Sequence, residues 1–155
     1  MKTQKSESPA YRWLVMVGGT AMLLAVAVEL LAVIGRFLAL PLAGSIELVQ
    51  VVVTVSGALG LVVATLQRSH AHVRLLLERL SPAQTRLLQR ANRAIAALFF
   101  LVLAAGSAWL ARDLWPGFEE TEIWRVPLAP LRVLVTLASL TVALLFLRSS
   151  LRGEA

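Results

Sequence analysis

Four long apolar runs, separated by polar segments that carry proline, glycine or charge, organise the chain. They lie near Leu14–Ile34, Ile46–Leu66, Ala94–Ala111 and Leu131–Leu147. A bilayer core about 30 Å thick takes roughly 20 helical residues at about 1.5 Å each. The first two runs meet that length, and the last two reach it with flanking residues. The pattern predicts an all-α integral membrane protein with four transmembrane helices, near residues 14–35, 46–67, 82–111 and 127–148. Residues 13–147 form the membrane domain, between polar tails at 1–12 and 148–155.

The connections carry their own signals. Leu40-Pro41-Leu42-Ala43-Gly44 reads as a short turn, because proline and glycine end helices. Ser45 is positioned to cap the second helix, with Glu47 in its first turn, where the helix dipole favours an anion. In the middle connection Val73, Leu76, Leu77 and Leu80 recur at helical spacing beside Arg74, Glu78 and Arg79. That spacing predicts a short amphipathic helix at the membrane surface. Ser81 and Gln84 form a capping-box pattern with Pro82 at the first helical position, so a new helix starts there. Nothing between Pro82 and Ala111 breaks it, and its first part is expected to lie in the cytoplasm.

Composition narrows the class. Of 155 residues 58% are apolar and 15% charged, too few charges to surface a soluble domain of this length. Cysteine is absent, which excludes disulfides and thiolate metal sites. The first run exceeds the roughly 7–15 apolar residues of a cleaved signal peptide and is read as a retained helix. The net charge of +6 points to no nucleic acid, because the basic residues sort by membrane side. Lys2, Lys5 and Arg12, the six arginines from Arg68 to Arg93, and Arg148 and Arg152 fall on the side shared by both tails and the middle connection. The opposite side holds Asp113, Glu119, Glu120 and Glu122 among fewer arginines. The positive-inside rule makes the basic side cytoplasmic, with both termini inside. Trp13 at the inner boundary, and Trp109, Trp115 and Trp124 at the outer one, suit headgroup depth.

Few residues can carry chemistry. Glu29 stands inside the first apolar run, where a charge at mid-helix costs about 2.5–3.5 kcal/mol. It is either a proton- or substrate-handling carboxylate, or one paired with Arg36 or with a partner protein. Arg36 and Glu47 flank the first turn and either pair across it or stand as solvated end charges. Ser56 and Gly60 make a small-xxx-small pattern that allows close helix approach, within this chain or to another subunit. Ala104 and Ala108 do the same in the third helix. His70 and His72 have no convergent carboxylate or thiolate, so no metal site is expected; His72 and Arg74 are read as headgroup anchors. No nucleophile–base arrangement, phosphate-cradling loop or acid pair occurs, which argues against an enzyme and against a cofactor.

Several short motifs then fall into a familiar order. Gly35-Arg36, Gly44-Ser45-Ile46-Glu47-Leu48, His72-Val73-Arg74 with Leu80, and Ile123-Trp124-Arg125-Val126-Pro127-Leu128 together resemble the small membrane subunit of TRAP (tripartite ATP-independent periplasmic) transporters, the DctQ family. The resemblance covers nearly the whole chain. It departs at Leu76, where the family often has an acidic residue, and at Ala71, where it often has glycine. It implies a large DctM-like membrane subunit that moves substrate and sodium sites, and a periplasmic substrate-binding protein that delivers an organic anion. The small subunit then braces the large one in the bacterial inner membrane, among lipids, with Glu29, Arg36, Glu47, Ser56 and Gly60 as partner contacts and Trp13, Trp115 and Trp124 as interfacial anchors. The competing reading is a self-sufficient multidrug-type exporter using Glu29 as its coupling carboxylate; the strong charge bias and the lack of aromatics around Glu29 speak against it.

Overall fold

A computed structural model describes residues 8–67, 81–117 and 119–152. The predicted amphipathic segment around Val73–Leu80, with His72 and Arg74, lies outside the described residues. Four helices follow in order: α1 (Pro9–Phe37), α2 (Ser45–Leu66), α3 (Pro82–Asp113) and α4 (Ala129–Arg152). Each contains a stretch long and apolar enough to cross a membrane.

Helix α1 begins inside the segment read as a tail. Ser8 caps it, its side chain accepting the Tyr11 amide at 3.3 Å, and Pro9 takes the first helical position. A proline there loses no helical hydrogen bond, so residues 9–13, including Tyr11 and Arg12, extend the helix beyond the apolar run. The other end closes in a Schellman motif. The Ala39 amide donates to the Arg36 carbonyl at 3.3 Å, and the Leu40 amide to the Gly35 carbonyl at 2.8 Å. This motif places its pivot in the left-handed region, and Ala39 holds it at φ 57°. Alanine is strained there, so Ala39→Gly is expected to stabilise the chain by roughly 0.5–1 kcal/mol, read as a higher thermal midpoint in detergent.

The chain then enters α2 through Gly44, not Ser45. Gly44 is the N-cap at φ 73°, and its carbonyl accepts the Glu47 and Leu48 amides. A left-handed cap follows from the tight reversal out of α1, and glycine takes it without strain. Helix α3 starts with the capping box read from the sequence: Ser81 and Gln84 exchange side-chain-to-backbone hydrogen bonds. At 32 residues it is about 48 Å long, longer than a bilayer core. Helix α4 runs on through Arg152, past the apolar run that ended near Leu147.

Packing is concentrated in three pairs: α1 on α2, α2 on α4, and α4 on α3. The helices therefore form an open row, α1–α2–α4–α3, and not a closed bundle. Small residues set the spacing: among the described residues, eight of the ten buried hydrophobic ones are alanines, so backbones approach closely. In α1 the buried positions are Gly18, Ala21, Ala25 and Ala32. At Gly18 an added Cβ would stand 3.3 Å from the Leu59 Cβ of α2. The densest cluster is Ala58 and Val62 of α2 against Ala138 and Val142 of α4, flanked by Leu14, Phe100, Leu134 and Phe146. Phe100 and Phe146 stack across α3 and α4, with ring centres 6.1 Å apart. Large side chains mostly point outward on all four helices, as in a protein whose solvent is hydrocarbon.

Candidate functional site

The most elaborate polar structure joins the two connections at one end of the row. Glu47, in the first turn of α2, extends its carboxylate to the α3–α4 connection. One oxygen accepts the Ile123 amide at 2.9 Å, and the other accepts the Trp124 amide at 3.0 Å. The Trp124 indole N–H returns to the Ala43 carbonyl at 3.2 Å. Gly44 lets the indole this close, since a Cβ there would fall 2.5 Å from its nitrogen. The connection itself is a small folded unit. Thr121 donates its amide to the Val126 carbonyl and accepts the Val126 amide on its hydroxyl. Glu120 and Pro127 form an antiparallel bridge, and Arg125 sits at φ 50° in the turn. Glu119 pairs with Arg132 at the start of α4. Charge-assisted bonds of this kind are roughly twice as strong as neutral ones.

Of the expected alternatives for Arg36 and Glu47, pairing across the turn is overturned. They do not pair: Glu47 is committed to two backbone amides, and the Arg36 Nε donates to the Ala32 carbonyl of its own helix at 3.3 Å. Glu29 is exposed on α1 and is likewise unpaired with Arg36 among the described residues. Ser56 borders the α1–α2 contact, its carbonyl 3.9 Å from where a Gly18 Cβ would stand. Gly60 faces open space, since a Cβ there would meet nothing within 4 Å. Close packing inside this chain therefore does not explain that glycine. Trp13 and Trp115 are mostly exposed, whereas Trp124 is tied into the connection.

Polar contacts deeper in the row join α3 to α4. Ser107 and Thr136 share a hydrogen bond of 2.8 Å, and Thr136 also donates to the Arg132 carbonyl. Interhelical bonds in membranes average about 0.6 kcal/mol, so Ser107→Ala is expected to lower stability by roughly that amount, measured by unfolding in mixed micelles. At the opposite end of the row Arg93 donates to the Ser149 carbonyl at 3.1 Å, in the last turn of α4, where carbonyls lack helical partners. Gln67 donates to the Tyr11 hydroxyl and links the same ends of α1 and α2. Among the described residues no group of histidines and carboxylates could hold a metal ion. The sequence reading missed Thr121, Arg93 and the Ser107–Thr136 pair. The spacing of Ser107 and Thr136, each on an apolar helix, was the only available signal.

The row is tied at both ends, with no convergent polar pocket among the described residues. The family model for the DctQ component of tripartite ATP-independent periplasmic transporters matches residues 25–154. The chain belongs to this family. The match spans α2, α3, α4 and both ends of the Glu47 contact, and the last 13 residues of α1. No curated protein and no solved structure matches the chain. DctQ chains are small membrane components of these transporters, which work with a DctM component and a substrate-binding protein. With four spanning helices, membership makes this a multi-pass transporter component of the inner membrane.

Proposed function

We propose that this chain braces the large DctM-like membrane subunit of a TRAP transporter, which takes up an organic anion delivered by a periplasmic binding protein. The observation that carries the reading is the open row. It offers broad apolar faces beside uncovered small residues such as Gly60, and no convergent polar set for a substrate among the described residues. A brace must also hold its shape against a moving neighbour. The Glu47 contacts at one end and the Arg93 contact at the other suit that task.

Both termini and the arginine-rich middle connection face the cytoplasm in this reading, and the Glu47 clasp faces the periplasm. Trp13, Trp115 and Trp124 anchor the chain at the two interfaces, while the segment around Val73–Leu80, with His72 and Arg74, lies outside the described residues. The exporter alternative gains nothing from the geometry, because no polar side chain converges on Glu29 among the described residues.

Reconstitution tests the proposal. Liposomes holding this chain, the large subunit and the binding protein are expected to take up the anion, while liposomes lacking either membrane subunit do not. Saturable uptake by this chain alone would end the reading. The chain has no native cysteine, so single cysteines at Glu122 and Arg79 report sidedness directly. Labelling of the first from outside and the second from inside is expected, and the reverse would invert the topology.

A further inference from the structure

We propose that Glu29 anchors a membrane helix of the large subunit, one that presents a cationic or hydrogen-bond-donating side chain at the same depth; this rests on the bracing role above. Met22, Val26, Glu29, Val33 and Arg36 recur at alternating spacings of four and three, which keeps them on one side of α1. All five are exposed. Helix α1 ends the row and packs mainly on α2, so among the described residues this stripe has no neighbour to cover it.

Depth makes the carboxylate informative. Glu29 lies seven residues inward from Arg36, about 10 Å along the axis. There it is within hydrocarbon, beyond headgroup ammonium groups at the helix ends. Arg36 folds onto its own helix through the Ala32 carbonyl and does not reach Glu29. An intramembrane carboxylate needs a donor, and this chain supplies none among the described residues. A second copy in the same orientation does not supply one either. It would bring Glu29 level with Glu29, while Arg12 and Arg36 lie roughly 25 Å and 10 Å away along the axis. A helix of a different protein, carrying the complementary donor, meets the requirement, and the apolar residues of the stripe give it a packing surface.

Co-purification of the large subunit with affinity-tagged chain, after co-expression, reads the contact. Glu29→Leu is expected to lower recovery by roughly tenfold or more, since truncating a buried charged partner strands the other group. Glu29→Gln keeps one acceptor oxygen and is expected to fall between, and Glu29→Lys to be at least as damaging as Leu. The isolated variants are expected to keep the helix content and thermal midpoint of the native chain, which separates lost contact from lost folding. A photo-crosslinking side chain at Val26 or Val33 is expected to capture the large subunit. Full recovery with Glu29→Leu, or crosslinks only to lipid or to a second copy, would overturn the anchor while leaving the bracing role standing. If the native chain recovered no large subunit, the functional reading would fall and the anchor with it.

Discussion

Gly35→Ala is expected to destabilise the isolated chain by about 3 kcal/mol, the upper part of the usual range for overpacking. A Cβ at this position would stand 2.5 Å from the Leu40 carbonyl oxygen and 3.5 Å from its carbon. Those are backbone atoms, held in place because the Leu40 amide donates to the Gly35 carbonyl. The oxygen cannot retreat without opening the Schellman motif that reverses the chain into α2. The loss therefore spreads beyond one contact: Gly44, Glu47 and the clasp they form depend on where that turn delivers the chain. Gly19→Ala is the matched control. It makes the same chemical change in the same helix, at a position where a Cβ meets nothing within 4 Å. It is expected to be neutral, or stabilising by up to about 1 kcal/mol through helix propensity. Thermal unfolding of both variants in detergent decides the matter. Equal midpoints would show that the chain does not close over Gly35.

Much of the fold was legible because lipid imposes one rule on any spanning segment. Helices must satisfy their own backbone, so apolar runs of sufficient length read directly as helices. The Ser81–Gln84 box was legible for a similar reason: both halves of the exchange lie within four residues. What stayed hidden was anything between distant segments. The order α1–α2–α4–α3 leaves little trace, because these helices are apolar all round and the faces that meet are merely smaller. Ala58 and Val62 look like any alanine and valine until Ala138 and Val142 arrive opposite them. The entry to α2 was misread at Ser45 because a serine beside a helix start is the ordinary capping signal. The tight reversal through Ala39 and Gly44 overrode it. Glu47 was recognised as a first-turn acid, yet its partners are backbone amides, which every residue carries and no side-chain pattern reveals.

The open row makes that last contact consequential. The helices form two hairpins, α1–α2 and α3–α4, which pack on each other chiefly through α2 and α4. A single helix pair resists sliding, through interlocked side chains, better than it resists hinging about its own axis. The clasp at Glu47 adds a second tie, joining the turn before α2 to the α3–α4 connection.

Glu47→Ala is accordingly expected to loosen this end of the row while leaving the helices formed. Both carboxylate oxygens are in use, so alanine orphans the Ile123 and Trp124 amides together. Amide hydrogen exchange at those two residues is expected to rise roughly tenfold or more, the scale set by losing a charged acceptor. Protection at Val62 and Val142, in the packed centre, is expected to stay high. Glu47→Gln should fall between the two, because its amide nitrogen would face an N–H where the second oxygen now accepts one. Glu47→Asp falls short by one methylene and is expected to resemble alanine. Trp124 adds an optical readout, since its indole donates to Ala43 only while the connection is held down. Its emission is expected to shift to the red as the ring meets water. Unchanged exchange at Ile123 and Trp124 in the alanine variant would mean that the two hairpins are set by the α2–α4 contact alone. The clasp would then have no part in the stiffness that a brace requires.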